Sequence, residues 1–133
     1  MAVTGQGRVG IDVERANRPM DVRTAVHPFL TPMEIDQIGR LPEPAARARL
    51  LTLWTRKEAV GKVTGHGLSR ALRGVEVSEA VAAPLVVQSG GEVWLHTLRL
   101  PDAYVGALAT TRPVTRISVR TAASWLCRHW PLS

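Results

Sequence analysis

Two acidic residues, Asp12 and Glu14, stand two positions apart in the run Arg8-Val9-Gly10-Ile11-Asp12-Val13-Glu14, and a third, Glu58, lies between the lysines of Lys57-Glu58-Ala59-Val60-Gly61-Lys62. On an extended strand, alternate residues share a face, so Asp12 and Glu14 lie on one side with backbones roughly 6.5–7 Å apart. Carboxylates at that spacing repel one another unless a positive charge lies between them, and hard divalent cations prefer such oxygens. The same pattern also suits an ordinary amphipathic strand whose acidic face meets water and whose Val9, Ile11 and Val13 face the core.

The helical segment sharpens the choice. Residues three and four apart share a helix face, so Leu50, Leu51 and Trp54 form an apolar stripe that continues one turn later as Lys57 and Glu58, then Gly61 and Lys62. Unpaired burial of those charges costs several kcal/mol, on the order expected for isolated ions, so the stripe should open onto a polar cavity or a ligand. Gly61 in mid-helix costs roughly 1 kcal/mol against alanine, tolerable where something approaches the backbone closely. The competing arrangement is a solvated face with an ion pair between Glu58 and Lys62. Trp54 and Glu58 lie on the same side of the helix, which counts against it.

Several elements must position these residues. Ala2-Val3-Thr4 and Arg8 to Glu14 predict two strands joined by Gly5-Gln6-Gly7. Arg15 to Pro28 is polar and irregular. Thr31-Pro32-Met33-Glu34 is a capping box with proline at the first helical position, opening a short helix that turns Ile35 and Ile38 inward and ends near Gly39. A longer helix is predicted from Pro44 to about Val63, stopped by Gly65 and Gly67. Then the period changes to alternation. Val75-Glu76-Val77 is a short strand, Leu85-Val86-Val87 and Val93-Trp94-Leu95 form a hairpin through Gly90-Gly91, and Tyr104 to Ala109 and Ile117 to Val119 are further strands. Thr121 to Trp130 predicts a terminal helix with Trp125, Leu126 and Trp130 inward. The fold class is α+β, helices on a mainly antiparallel sheet, in one domain spanning 1–133.

The chain has 133 residues, enough for one core, and its 45% hydrophobic and 21% charged residues are those of a globular protein. No apolar run approaches the roughly 20 residues of a membrane span. A single cysteine, Cys127, excludes an internal disulfide and fits a reducing, cytoplasmic setting. Seventeen basic against eleven acidic residues give a net charge of +6, which favours an anionic partner. The arginines are scattered rather than clustered, and Phe and Tyr occur once each, so no stacking platform for nucleic acid is expected. The spacing of His27, His66, His96 and His129 does not predict a zinc site.

The two charged segments together resemble the signatures of the 4'-phosphopantetheinyl transferases. The family's strand motif Gly-Ile-Asp-x-Glu is present as Gly10-Ile11-Asp12-Val13-Glu14, and its helix motif Trp-Ser/Thr-x-Lys-Glu-Ala-x-x-Lys as Trp54-Thr55-Arg56-Lys57-Glu58-Ala59-Val60-Gly61-Lys62. Gly65-x-Gly67-Leu68 follows, and Phe29 to Glu34, here with four residues between the two, resembles the intervening Phe-x-x-x-Glu helix start. The tryptophan form of the helix motif is similar to the carboxy-terminal half of the larger, surfactin-synthetase-activating type, whose coenzyme A site lies between two similar halves. The length is instead that of the small fatty-acid-synthase type, a trimer with sites at its subunit interfaces.

The resemblance implies transfer of a phosphopantetheine arm from coenzyme A to a serine of an acyl or peptidyl carrier protein, with release of 3',5'-ADP. By that resemblance Asp12, Glu14 and Glu58 ligate Mg2+, Glu58 accepts the serine proton, and Lys62 and Lys57 contact the phosphates of coenzyme A. Carrier proteins of this kind serve fatty acid, polyketide and nonribosomal peptide biosynthesis, and as acidic proteins they suit a basic surface. The resemblance further implies that the site is completed by self-association or by a partner standing for the amino-terminal half. The alternative is a half-domain that binds coenzyme A or a carrier protein without turnover.

Overall fold

The computed structural model describes residues 5, 7–23, 28–65, 73–78, 85–87 and 91–120. Its elements run β1 (Val9–Arg15), α1 (Pro32–Gly39), α2 (Glu43–Thr64), β2 (Leu85–Val87), β3 (Gly91–Thr97) and β4 (Tyr104–Thr110). The strands form one sheet in the order β1-β4-β3-β2, every neighbouring pair antiparallel. The expected α+β class is thus the observed one. Val87 faces Gly91 across the β2–β3 pair, as the double-glycine hairpin requires. Both helix predictions hold to within a residue or two. Thr31 and Glu34 form the reciprocal capping box of α1, and α2 ends at Gly65, whose φ of 77° is a left-handed conformation that glycine adopts without penalty.

Helix α2 lies across β1 and β4, and three small residues of the sheet let it approach. Gly10 pairs with Ala109 and Asp12 with Ala107, so these side chains share the face beneath the helix. A Cβ at Gly10 would overlap the Ala59 carbonyl and stand 2.6 Å from Val63 N and 3.1 Å from Lys62 Cβ. The core is completed by Leu50, Leu53, Ala59, Val60 and Val63 of α2 with Phe29, Leu30, Val93 and Leu95.

This packing reverses one expectation. The face of β1 that meets α2 carries Gly10 and Asp12, both buried, whereas Val13 is 45% exposed. Alternation correctly separated the two faces, but the face without large apolar groups is the one the helix covers. Two short expected strands are also absent. Val75–Val77 and Ile117–Val119 carry no ladder pairing. The first is held by side chains: Arg56 donates to the carbonyls of Val77 (2.9 Å) and Ser78 (2.8 Å), and Lys57 to that of Val75. The second is exposed at Ile117 and Val119. The expected strand at Ala2–Thr4, Gly90 of the expected Gly90-Gly91 turn and the helix at 121–130 lie outside the described residues. Among the described residues no helix is long and apolar enough to cross a membrane.

Candidate active site

Strand β1 places Asp12 under α2, and Lys62 one turn from the helix end reaches down to it. Lys62 Nζ donates to Asp12 Oδ1 at 2.9 Å and to the Ile11 carbonyl at 3.0 Å. Asp12 is 8% exposed, and its other oxygen, Oδ2, is buried with no hydrogen-bond partner among the described residues. Burial therefore raises the Asp12 pKa above its ordinary value, although Lys62 opposes it. A buried carboxylate oxygen without a donor costs about 1–3 kcal/mol or more. It marks a place where a cation would be welcome.

Glu58 lies one helical turn before Lys62, half-buried in the same space. Its pKa is raised first by burial and next by the Asp12 charge, with Glu14 adding to the rise while Lys62 and Arg18 oppose it. The three carboxylates expected to act together therefore lie within one another's electrostatic reach. Glu14 itself is bound by Arg18, with Nη1 to Oε1 at 2.6 Å.

As placed, however, no three Asp, Glu, His or Cys side chains among the described residues stand close enough to hold a metal ion together. The expected ligand trio Asp12, Glu14 and Glu58 is thus not drawn together in this structure: Asp12 pairs with Lys62 and Glu14 with Arg18. The donor set fits a hard divalent cation all the same: carboxylate oxygens only, mutually repelling, one of them buried and unpartnered.

Lys57 departs from its expected role. Its side chain is 0% exposed, and Nζ pairs with the equally buried Glu34 Oε2 at 3.2 Å. Burial lowers its pKa, with Glu34 opposing the shift. A phosphate contact would require this ammonium to leave its buried carboxylate, so Lys57 is corrected from ligand contact to internal support. Glu34 does more than cap its helix: Oε2 accepts from Thr31 N (2.9 Å) and Oε1 from Val77 N (2.7 Å). Trp54, expected to support the helix, packs against the core and meets Phe29 edge-on, centroids 5.0 Å apart at 86°.

Sequence reasoning missed two residues here. Arg18 neutralises Glu14 and lies with its guanidinium 5.2 Å from the Trp54 ring centre. The four-residue spacing from Glu14 is a pairing signal on a helix, but β1 ends between the two, so the pattern gave no warning. Glu34 was visible as a cap and not as the partner of Lys57. His96 lies on β3 beside Thr110, at 3.3 Å, away from the acidic residues. The remaining histidines and Cys127 are outside the described residues.

Residues 8–109 match the family model of the 4'-phosphopantetheinyl transferase superfamily, and the chain belongs to that superfamily. It is similar to the 4'-phosphopantetheinyl transferase HetI of a Nostoc species, 29% identical over 108 residues that cover 81% of this chain and 45% of HetI. The chain therefore spans less than half the length of that relative. Its fold is similar to that of Helicobacter pylori holo-[acyl-carrier-protein] synthase in complex with coenzyme A, with a TM-score of 0.50 at 15% identity, covering 77% of this chain and 97% of that one. At that identity the likeness concerns the fold.

Proposed function

We propose that the chain transfers the 4'-phosphopantetheine group of coenzyme A to a serine hydroxyl of an acyl or peptidyl carrier protein, in a Mg2+-dependent reaction. The observation that carries this reading is the buried Asp12, whose Oδ1 accepts from Lys62 while its Oδ2 has no partner among the described residues, and whose charge helps to raise the Glu58 carboxyl. Asp12, Glu14 and Glu58 would hold the cation. When bound, it would neutralise diphosphate charge as bonding changes at phosphorus.

The serine oxygen forms a new bond to the β-phosphorus, the bond to the departing 3',5'-ADP breaks, and the serine proton passes to Glu58. A raised carboxyl pKa makes Glu58 a better proton acceptor than an exposed glutamate. Lys62, 49% exposed along its side chain, is free to exchange Asp12 for a phosphate oxygen. Such catalysis works by position and charge rather than by a covalent enzyme intermediate. A cytoplasmic, holo-[acyl-carrier-protein] synthase type of activity fits these roles, as does a basic surface receptive to an acidic carrier.

The test is release of 3',5'-ADP from coenzyme A with an apo carrier protein and Mg2+. Asp12→Asn and Glu58→Gln are expected to lower turnover by about 10²–10³-fold, the scale of losing one electrostatic contributor to a transition state. Wild-type rates in both variants would sink the assignment. A second reading is supported by the loose acid cluster and by coverage of only 45% of HetI: a half-domain that binds coenzyme A or a carrier without turnover. Saturable coenzyme A binding with no 3',5'-ADP released favours it.

A further inference from the structure

Strand β1 stands at one end of the strand order, and its outer edge is open. Arg8 O accepts from Thr111 N (3.1 Å) and Ala16 N donates to Ala103 O (2.8 Å), and in an antiparallel pair the hydrogen-bonded residues alternate. Gly10, Asp12 and Glu14 therefore direct their backbone groups at β4, whereas those of Val9, Ile11 and Val13 point away from the sheet. Among the described residues only the Ile11 carbonyl of these finds a partner, Lys62 Nζ at 3.0 Å. The register runs without a bulge from Val9 to Arg15, and no proline interrupts it. Two of the devices that commonly blunt an edge strand are thus missing.

The same chain carries a segment suited to that edge. Arg116-Ile117-Ser118-Val119-Arg120 has the composition of a strand, yet all five residues are exposed and none has a ladder partner. Once extended, Ile117 and Val119 share one face and Arg116, Ser118 and Arg120 the other. Strand β1 is divided in the same way, with Val9, Ile11 and Val13 on its outer face and Asp12 and Glu14 on the face toward α2. Paired in one phase, the two segments set apolar beside apolar and the arginines on the acidic side. Slipped by one residue, they set the arginines beside the valines. The acidic side has a use for positive charge, since Asp12, Glu14 and Glu58 have only Lys62 and Arg18 set against them.

We propose that segment 116–120 is an arm that adds as a strand to the free β1 edge of a second copy of this chain, each copy giving its arm to the other. Main-chain hydrogen bonds to Val9, Ile11 and Val13 supply the attachment, and the matched faces select the phase. A second copy is the occupant because edge and arm lie on one chain and the arm stands off its own sheet. A two-fold exchange therefore covers both edges at once and closes the assembly. The inference needs no metal and no coenzyme A, and it stands apart from the transferase reading.

Sedimentation of the purified chain and disulfide trapping test it. The wild-type chain is expected to self-associate, and Ile117→Asp with Val119→Asp, both at exposed positions, to weaken that association by about 10-fold through loss of two cross-strand apolar pairs. For trapping, chains with Cys127→Ser and Val13→Cys are mixed with chains carrying Cys127→Ser and Ile117→Cys, then treated with a mild oxidant. A linked pair of the two chains is expected. Ser118→Cys in place of Ile117→Cys, on the opposite face of the arm, should link far less. A wild-type chain that sediments as a monomer at every concentration overturns the proposal. So does unchanged association in the double aspartate variant, or equal linkage of Val13→Cys to Ile117→Cys and to Ser118→Cys.

Discussion

Lys57 and Glu58 are adjacent in the chain and meet opposite surroundings, since successive helix residues are turned by about 100°. Glu58 opens toward Asp12, while Lys57 is fully enclosed against Glu34. Removing one member of a buried pair strands the other, a loss of about 3–5 kcal/mol. Lys57→Met is therefore expected to lower the urea midpoint of unfolding by that equivalent, while the folded fraction keeps its affinity for coenzyme A. A variant of normal stability that had lost coenzyme A binding would restore Lys57 to the phosphate role its motif implies. That Asp12 shares a strand face with Glu14, and that Glu58 and Lys62 lie one helical turn apart, was legible because strand and helix periodicities assign faces from local sequence. The fate of Lys57 was not, because it depends on a carboxylate from another helix that local sequence marks only as a cap.

At the scale of elements, the closeness of β1 and α2 sets the site. Gly10, Ala107 and Ala109 form a floor of minimal side chains, and the backbone of α2 rests on it. An added methyl at Gly10 meets helix backbone, which cannot rotate away, so Gly10→Ala must push strand and helix apart. Overpacking of this kind costs about 1–3 kcal/mol. Gly10→Ala is expected to lower the thermal midpoint and to stretch the Lys62–Asp12 pair, seen as weaker metal binding in the protein that remains folded. Unchanged stability would mean that the two elements are less tightly apposed than described. Here lies the physical reason the inner face of β1 was misassigned. Hydrophobic alternation identifies the greasy side of a strand, but a helix docks closest where side chains are smallest. Likewise the Val75–Val77 segment has the composition of a strand, yet Arg56 and Lys57 hold its carbonyls from the helix and no neighbouring strand does.

At the scale of the whole molecule, a cavity lies beside Glu14, at the edge of the candidate site. Glu14 and Arg18 line a cavity of about 530 Å³ together with Val13, Arg15, Asn17, Pro19 and Tyr104. Two of those apolar side chains, Val13 and Tyr104, are 45% and 44% exposed. The chain covers 45% of the length of HetI. If copies of the chain supply the remainder to one another, turnover per chain must rise with protein concentration, because only associated chains carry closed sites. Specific activity should then climb across the same concentration range in which sedimentation shows self-association. Val13→Arg, which places a charge on the exposed patch without touching an acidic ligand, should shift both curves together to higher concentration. Constant specific activity from a species sedimenting as a monomer would show that one copy closes its own site.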